Sequence, residues 1–446
     1  MNIALCHFRV GETDGVSLEM EKWKLCLEGL GHKVFFLAGS EGTEKAYVID
    51  ELHYQHANNN KFVFNAYNQL IDYKNEQDFQ NAVLNFASRI EEKLEKFVHD
   101  YKIDILVPNN IWSLGWGIPA AIAFANVSKK PGIQCVAHHH DFYWERDRYS
   151  HPTCDFVHKA LEEYFPPKKP NIRHVVINEI AKEELKKRKG IDSAVVPNVF
   201  DFDGSMWGID EYNRDLKKQI GAEDSIIVLQ ATRIAERKAV ELAVDVVAEI
   251  IKPENIEKIR EKRLYDGRSF ENSRVVFILA GLPEADEKYI QMLYERAAQK
   301  NVEMVSISGL IKSGRYVENG EKYYSLWDAY VLADIITYPS ILEGWGNQFL
   351  EGVFAKKPIV VYEYPVFVTD IKGKGFNIVS LGSEHERDKN GLVTIDEELV
   401  ANAGRECVRL LTDGQYRDSF VERNFELGKK YYSYESLTNL LKGLFT

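Results

Sequence analysis

Two glutamates late in the chain, Glu343 and Glu351, flank a glycine-containing turn that could bind a ligand combining sugar rings with an anion. Gly344 and Gly346 allow the backbone to bend and to approach such a ligand closely. A helix that begins near Asn347 would point unpaired N–H groups at the ligand, which makes its start suitable for an anion. Carboxylates repel phosphate but accept hydrogen bonds from hydroxyl groups. The stretch therefore suits a ligand with sugar rings on either side of a diphosphate.

The hydrophobic pattern predicts the elements that position this turn. The run from Ala333 to Thr337 is typical of a buried strand, and residues 349–354 carry apolar side chains at helical spacing. The turn thus connects a strand to a helix, the position at which open α/β sheets bind ligands.

A family resemblance rests on the residues around this turn. Their order is Pro-Ser, Glu-Gly-Trp-Gly, a second glutamate and then Lys-Pro-Ile-Val at 357–360. This order resembles the Glu-x7-Glu signature of retaining GT-B glycosyltransferases, the glycosyltransferase family 4-like type also called glycosyl transferases group 1. The resemblance implies an α/β fold with two Rossmann-like, doubly wound parallel-sheet domains facing a cleft. It places an acceptor-side domain at 1–200, a nucleotide-sugar-binding domain at 201–429, and a C-terminal helix from about 430 to 446 against the first domain.

The resemblance also assigns roles on the donor side. Arg233 and Lys238 follow a predicted strand and match an arginine and a lysine that clamp the donor diphosphate in the family, although Thr232 replaces the usual glycine. Such a role agrees with the chemistry, because leaving-group charge develops on the diphosphate as the glycosidic bond breaks. Surface charges are the alternative for both cations. By the same resemblance, Glu343 holds hydroxyls of the donor sugar and Glu351 holds those of the ribose.

Further donor-side residues follow from the resemblance. Amides at the start of the helix stabilise the leaving diphosphate, and backbone groups near Leu310 hold the nucleotide base. The segment Asp14 to Ser17 stands where the family has a glycine-rich loop, but with its single Gly15 it could equally be a tight turn. The donor-binding residues implied in this way are Gly15, Asp141, Leu310, Gly344, Trp345, Gly346, Asn347, Gln348 and Glu351.

Three successive histidines, His138 to His140, end another predicted strand. They cannot all point the same way in an extended chain, so a metal site of three histidines is not expected. In the resembled family a His-Asp pair at this place faces the transferred sugar, and His140-Asp141 matches it. The resemblance implies that His140 hydrogen-bonds a sugar hydroxyl, with Asp141 or a neighbour orienting it. A structural histidine is the alternative.

Three segments leave their roles open. Residues 109–117 contain two asparagines with Trp112 and Trp116, which suits either a wall for the acceptor or tryptophans packed in the core. Residues 314–324 have the composition of an inserted polar loop. Residues 363–372 replace the Gly-Gly-containing loop common in the family, so the sequence does not show whether the loop at 363–375 sets acceptor specificity.

Length, composition and charge narrow the class of protein. A chain of 446 residues with 45% hydrophobic and 28% charged residues has material for two large α/β domains. Its formal charge of −12 argues against nucleic acid or an anionic membrane surface as the main partner. Five cysteines without a CxxC pair indicate reduced core residues of a cytoplasmic protein, and neither a signal peptide nor a membrane span is expected.

These observations together predict a hexosyltransferase. We expect transfer of a hexose, with retention at the anomeric carbon, from a nucleoside diphosphate sugar of the UDP-glucose or GDP-mannose type to a hydroxyl of a soluble small-molecule or saccharide acceptor. The resemblance implies a front-face mechanism without a cofactor and without an obligatory divalent metal. A disaccharide phosphorylase of the same fold, a nucleotide-sugar epimerase and a non-catalytic partner subunit are the alternatives. No contact with nucleic acid or a membrane surface is expected, and the base, the sugar, the acceptor and the oligomeric state stay open.

Overall fold

The computed structural model describes residues 1–12, 14–271 and 274–445. The chain divides into two compact units, of which unit 1 comprises Met1–Val199 with the C-terminal segment from Tyr434, and unit 2 comprises Phe200–Ser433. Each unit contains its own parallel sheet.

Unit 1 is built on a seven-stranded sheet whose neighbouring strands are all parallel. Its central strands are buried apolar runs, as expected for a parallel sheet covered on both faces. The order β3-β2-β1-β4-β5-β6-β7 runs outward in opposite directions from β1 and β4, as in a doubly wound fold. The strands are β1 (Asn2–His7), β2 (Lys33–Ala38), β3 (Tyr47–Val48), β4 (Ile105–Pro108), β5 (Gln134–His139), β6 (Ile172–Val176) and β7 (Ser193–Val195).

The helices of unit 1 cover this sheet with apolar stripes. In the longest, α3, buried residues such as Phe79, Val83 and Phe86 recur every three or four positions. The helices are α1 (Gly15–Gly29), α2 (Ala57–Tyr67), α3 (Glu76–Tyr101), α4 (Ile118–Val127), α5 (Asp155–Tyr164) and α6 (Glu179–Lys189). A C-terminal helix, Tyr434–Leu444, returns to unit 1, where Leu437 and Leu441 join the same core cluster as Trp23 of α1.

Unit 2 contains a second doubly wound sheet of six parallel strands, in the order β10-β9-β8-β14-β15-β16. Two smaller sheets hold the remaining strands. The strands are β8 (Ile226–Gln230), β9 (Val275–Leu279), β10 (Glu303–Ser306), β11 (Ile311–Lys312), β12 (Tyr316–Glu318), β13 (Glu321–Ser325), β14 (Ile335–Tyr338), β15 (Ile359–Val361), β16 (Val379–Ser380), β17 (Glu386–Arg387) and β18 (Val393–Thr394). The two sheets confirm the predicted doubly wound α/β fold.

The helices of unit 2 include one that follows the central glycine turn directly. This helix, α12, begins one residue after Gly346. The helices are α7 (Leu216–Gln219), α8 (Val240–Ile250), α9 (Pro253–Lys262), α10 (Glu287–Gln299), α11 (Leu326–Leu332), α12 (Asn347–Phe354), α13 (Glu397–Thr412) and α14 (Gly414–Tyr432).

The segment 314–324, expected to be a polar loop, contains a β-hairpin instead. β12 pairs antiparallel with β13, and β13 pairs parallel with β11. Asn319 and Gly320 at the hairpin tip have φ values of 52° and 83°, the two left-handed residues of a type I′ turn. The Asn-Gly pair was a usable sequence signal, but the charged residues beside it made the segment look like a loop.

Two kinds of feature are absent from the described residues. None of the helices in the described ranges combines the length and the apolar character needed to cross a membrane. No group of three or more His, Cys, Asp or Glu side chains within the described part of the chain is arranged to hold a metal ion.

Candidate functional site

The centre of the unit 2 sheet brings the two segments that are predicted to bind the sugar donor to one edge. β8 and β14 are parallel neighbours, and the strand order runs away from them in opposite directions. Arg233 and Lys238 follow the carboxyl end of β8, and the turn with Glu343 follows the carboxyl end of β14. This reversal point is where a doubly wound sheet binds its ligand.

The turn after β14 is shaped around Gly346. Its φ of +148° is a conformation that residues with a side chain rarely adopt. Glycine also has no side chain to cap the helix, while its carbonyl accepts hydrogen bonds from the N–H groups of Phe349 and Leu350. Asn347 and Gln348 are partly exposed at the start of α12. The positive end of the helix dipole therefore lies at the carboxyl edge of the sheet, next to the exposed Gly344.

Lys238 and Glu343 form an ion pair in this site. Their side chains are only 7% and 13% exposed. Burial lowers the pKa of the Lys238 ammonium, and the Glu343 carboxylate acts in the opposite direction. The Nζ atom also lies 5.9 Å from the centre of the Tyr338 ring. Two residues predicted for separate roles, on the diphosphate and on the sugar, thus contact each other directly.

Arg233 is placed differently from Lys238. Its side chain is 61% exposed, and Nη1 lies 3.8 Å from Glu284 Oε1. Arg237 approaches the other oxygen of Glu284 at 3.5 Å. Exposed pairs at such distances are weak, so the guanidinium of Arg233 can move to an incoming anion at little cost.

Glu351 is oriented by a buried phenol. Tyr330 of α11 donates a hydrogen bond of 2.8 Å from Oη to Glu351 Oε2. Burial, and then the carboxylate itself, raise the pKa of Tyr330 well above its usual value, so the phenol keeps its proton and remains a donor. The bond fixes the direction of one oxygen of a group that accepts several hydrogen bonds. The geometry is compatible with the predicted contact to a ribose.

Trp345 contributes to the turn through its backbone. Its ring, 4% exposed, packs edge-on against Tyr432 with 5.4 Å between ring centres. Its carbonyl accepts a hydrogen bond of 2.7 Å from Tyr364 Oη. The expectation that Trp345 binds the donor is therefore limited to its main chain, because the side chain is part of the core.

Leu310, predicted to lie where the base is held, has partners for both backbone polar groups. Its N–H donates to Ile307 O at 2.9 Å, and its carbonyl accepts from Tyr324 N at 2.9 Å. The second bond joins Leu310 to β13, near the end of that strand. Of these two backbone groups, only the remaining lone pair of the carbonyl could therefore accept a hydrogen bond from a nucleotide base.

Thr232, where the family usually has glycine, belongs to a buried polar chain between strand ends. Gln230 Nε2 donates to Thr232 Oγ1 at 2.7 Å, and Thr337 Oγ1 donates to Gln230 Oε1 at 2.6 Å. All three residues are buried. Through Gln230, the Thr232 hydroxyl is connected to Thr337 of β14, next to the strand ends of the proposed site. The larger side chain that replaces the family's glycine is therefore buried and hydrogen-bonded.

In unit 1, two asparagines at the end of β4 position the predicted His140. Asn109 Oδ1 lies 3.0 Å from His138 Nδ1 and 3.3 Å from His140 Nε2. Asn110 Oδ1 accepts from the backbone N–H of His140 at 2.7 Å and of Asp141 at 3.2 Å. Asn110 has a φ of 57°, a left-handed conformation that asparagine tolerates better than most residues.

Asn109 orients the ring of His140, whereas the Asp141 carboxylate pairs with another side chain. The sequence had allowed either Asp141 or a neighbour to orient this ring. The Asp141 carboxylate accepts a hydrogen bond of 2.7 Å from Arg146 Nη2. Burial lowers the pKa of His140 to about 3, and His7 shifts it in the same direction. The ring is therefore neutral at pH 7 and can exchange hydrogen bonds with a hydroxyl, but it cannot act as a cation there.

Gly15 is the exposed first residue of α1, and Asp14 is the N-cap of that helix. Asp14 Oδ1 accepts from the N–H groups of Val16 and Ser17 at 3.1 and 3.2 Å. Burial alone would raise the pKa of Asp14, but hydrogen bonds from Ser17 and the proximity of His7 hold it below its usual value. The segment is a well-capped helix start, and its contact with donor phosphates stays a prediction.

The tryptophans after β4 resolve one of the open alternatives. Trp112 is fully buried and donates from Nε1 to the Ala121 carbonyl at 3.0 Å, so it is a core residue. Trp116 is half-buried against Phe8, with 4.8 Å between ring centres. An acceptor wall could therefore use Trp116 but not Trp112.

Tyr330 supports Glu351 and Tyr364 supports the turn, and neither role was predicted from the sequence. Tyr330 lies twenty-one positions before Glu351, and Tyr364 bonds a backbone carbonyl that no side-chain pattern reveals. Asn110 had a weak signal, since an asparagine just after a strand often adopts a left-handed φ.

Comparisons with known proteins place the chain among sugar-transferring enzymes. No family model matches the chain. It is 42% identical over 434 residues to the mannosylglucosylglycerate synthase of Petrotoga mobilis, which covers 97% of this chain and 98% of the relative. It is 41% identical over 442 residues to the mannosylglucosylglycerate synthase of Thermotoga maritima, with 99% of each chain covered.

Solved structures of glycosyltransferases share the fold. Sucrose-phosphate synthase from Thermosynechococcus elongatus superposes with a TM-score of 0.60 at 12% identity, covering 100% of this chain and 98% of that one. A glycosyltransferase from Rickettsia africae gives a TM-score of 0.58 at 14% identity, with coverage of 99% and 97%. At this identity the likeness concerns the fold alone, and it confirms the predicted GT-B architecture.

Proposed function

The chain belongs to the family of the mannosylglucosylglycerate synthases, which makes it a GT-B hexosyltransferase, and we propose that it transfers a mannosyl group from a nucleoside diphosphate mannose to glucosylglycerate. The name of the relatives describes a product composed of mannose, glucose and glycerate. Addition of the outermost sugar to an acceptor that already holds the other two parts is the simplest route to such a product. Both relatives match almost the whole chain, which supports carrying this reaction over.

The observation that carries the donor half of the proposal is the turn between β14 and α12 with its buried Lys238–Glu343 pair. As the bond between mannose and diphosphate breaks, negative charge grows on the diphosphate. Lys238, the mobile Arg233 and the start of α12 are positive groups at one edge of the sheet that would stabilise this charge. Glu343 would accept hydrogen bonds from hydroxyls of the mannose, and Glu351 from those of the ribose.

The stereochemical course that we propose is retention through front-face attack. The acceptor hydroxyl oxygen bonds to the anomeric carbon as the bond from that carbon to the diphosphate oxygen breaks. The acceptor proton passes to the departing diphosphate oxygen, which balances the charge of both fragments. In this account the neutral His140 binds a hydroxyl and transfers no proton.

The test is a product assay with the purified full chain. GDP-mannose, UDP-mannose, GDP-glucose and UDP-glucose are each incubated with glucosylglycerate, and the product is read by mass spectrometry and by NMR of its anomeric configuration. We expect a product one hexose heavier than the acceptor, formed from a mannose donor and with the anomeric configuration of that donor. Glucose donors that work while mannose donors fail would contradict the donor assignment. An inverted product would contradict the retaining course alone.

The acceptor assignment needs its own control. Glucosylglycerol has the same sugar as glucosylglycerate, but a neutral hydroxymethyl group replaces the carboxylate. We expect at least tenfold lower kcat/KM with glucosylglycerol, since a site built for a charged acceptor leaves its partner group unpaired without the charge. Equal use of both acceptors would mean that glycerate is not what the enzyme recognises.

A further inference from the structure

The segment after β15, where the sequence departs from the Gly-Gly loop of the resembled family, is firmly anchored in unit 2. Ser380 Oγ donates to Glu363 Oε1 at 2.7 Å, and Lys372 Nζ donates to Glu363 Oε2 at 2.5 Å. The N–H of Glu363 donates to the Gly382 carbonyl at 2.8 Å. These bonds fix the main chain at the position from which the next residue, Tyr364, extends.

Tyr364 reaches from this anchored segment into the turn after β14. Its ring is fully buried, and its hydroxyl donates a hydrogen bond of 2.7 Å to the Trp345 carbonyl. Trp345 lies between Gly344 and Gly346, the two glycines of the turn. The phenol therefore binds the peptide group between Trp345 and Gly346, inside the turn.

The hydroxyl of Tyr364 and the missing side chain of Gly346 fit each other. A Cβ atom at Gly346 would lie 2.2 Å from Tyr364 Oη, closer than any real contact. The φ of +148° at Gly346 is also poorly accessible to other residues. Two independent features, space and backbone conformation, thus reserve this position for glycine while the tyrosine occupies the space.

Aromatic rings connect the same tyrosine to α12. Phe367 lies between Tyr364 and Phe349 of α12, with ring centres 5.8 and 5.5 Å away. The ring of Tyr338, the last residue of β14, stands perpendicular to Tyr364 at 5.8 Å. Tyr364 therefore contacts the strand before the turn, the turn itself and, through Phe367, the helix after it.

From this geometry we infer that Tyr364 is the positioning residue of the diphosphate site. It fixes the Gly344–Gly346 turn so that the start of α12 faces the diphosphate, and it touches no substrate itself. The inference rests on the proposed function, because it assigns the turn to the donor diphosphate. Sites that bind by preorganised backbone groups need such support, since small displacements of the donors weaken every contact they make.

The substitution that isolates the hydroxyl is Tyr364→Phe, which keeps the ring and its packing. Tyr362→Phe is the matched control, because Tyr362 is also buried and its hydroxyl pairs with His385 Nδ1 at 2.8 Å rather than with a group of the Gly344–Gly346 turn. Titration calorimetry compares GDP with guanosine for the unmodified chain and both variants. We expect Tyr364→Phe to weaken GDP binding by roughly tenfold or more, because the turn without its hydrogen bond adopts the binding orientation only part of the time, and to leave guanosine binding unchanged.

Steady-state kinetics supply a second readout for the same variants. Displacement of groups that stabilise the leaving diphosphate should lower kcat as well as raise KM for the sugar nucleotide in Tyr364→Phe, while Tyr362→Phe retains both values. A loss shared equally by GDP and guanosine, or equal behaviour of the two variants, would overturn the positioning role.

A double-mutant cycle tests the contact between Tyr364 and Gly346 directly. Gly346→Ala should damage GDP binding less in a Tyr364→Phe background than in the unmodified chain, because the oxygen that meets the new Cβ is gone. An equal loss of GDP affinity in both backgrounds would contradict the proposed contact between Tyr364 and Gly346. If the unmodified chain binds none of GDP, UDP and ADP, both the proposed function and the inference fail. If it binds one of them, the results with the variants test the inference alone.

Discussion

The contact between Lys238 and Glu343 joins side chains that lie 105 positions apart in the sequence. A buried ion pair loses hydration on both sides, so its net contribution to stability is small, whereas removal of one partner leaves the other charge unpaired. Lys238 is held near Glu343 at the edge where a diphosphate is proposed to bind. We therefore expect the two residues to act as one functional unit.

The two proposed diphosphate ligands, Arg233 and Lys238, are tested first. Arg233→Ala and Lys238→Ala should each lower turnover of the sugar nucleotide on the order of 10²-fold, the effect of removing one group that stabilises transition-state charge. Arg237→Ala is the control, because Arg237 approaches the same Glu284 as Arg233 but has no proposed contact with the donor. Near-normal kcat in both test variants would remove them from the site, and an equal loss in Arg237→Ala would indicate a general charge effect.

The coupling between Lys238 and Glu343 gives a separate prediction. Glu343→Gln should keep GDP affinity nearly intact and impair sugar transfer, because the cation stays in place while the sugar contact changes. Lys238→Ala should weaken GDP binding, since the remaining carboxylate then repels the phosphates. The double variant should recover part of that loss, by several-fold in Kd measured by calorimetry. Strictly additive effects would show that the pair does not act as a unit.

At the scale of elements, the site depends on how one strand, one turn and one helix follow each other. The hydrophobic pattern and the two glycines were enough to predict β14, the turn and α12, because these features are local in sequence. The support from Tyr364 could not be predicted, since its partner is a main-chain carbonyl nineteen positions away. The pairing of Asp141 with Arg146 was also hidden, because a nearby histidine and a nearby arginine are equally plausible partners for a carboxylate.

The helix start predicts how the enzyme responds to a chelator. Because α12 and two cations already provide positive charge for the diphosphate, we expect most of the activity to survive in EDTA. The measurement is initial velocity with and without EDTA, followed by readdition of Mg²⁺ or Mn²⁺. Complete and reversible loss in EDTA, restored only by a divalent ion, would contradict the expectation of a metal-independent reaction.

At the scale of the whole molecule, the two units differ in the groups that lie at the carboxyl ends of their central parallel strands. Unit 2 gathers a buried ion pair there, whereas unit 1 gathers neutral imidazoles. Within the described part of unit 1, burial lowers the pKa of a group of histidines: His7, His138, His139, His140 and His174. Charging these rings in place would require hydration that the core does not supply.

This group predicts how stability depends on pH. A histidine whose folded pKa lies below its unfolded value binds fewer protons in the folded chain than in the unfolded chain. The free energy of unfolding therefore falls as the pH falls from about 6.5 toward the folded pKa. Burial lowers the pKa of His174 to about 4. Each such group should add a slope of about 1.4 kcal/mol per pH unit to the free energy of unfolding between these values.

Denaturant unfolding between pH 4.5 and 7 measures this slope. The unmodified chain should become steadily less stable as the pH falls, and His174→Gln should show a shallower slope because one titrating ring is gone. His151→Gln, at an exposed position in unit 1, is the control for the substitution itself. Identical slopes for all three proteins would contradict the assignment of neutral buried histidines.

We expect the turn between β14 and α12 to bind a nucleoside diphosphate, with Glu351 on its ribose. Titration calorimetry with GDP, UDP and ADP identifies the nucleotide that binds, and the same titration is repeated with its 2′,3′-dideoxy form and with Glu351→Gln. We predict that Glu351→Gln weakens binding of the normal nucleotide by roughly 1–3 kcal/mol, the cost of losing a charged hydrogen-bond acceptor, and does not weaken binding of the dideoxy form further. Failure of all three nucleotides to bind the unmodified chain, or equal losses for the normal and dideoxy nucleotides in Glu351→Gln, would contradict it.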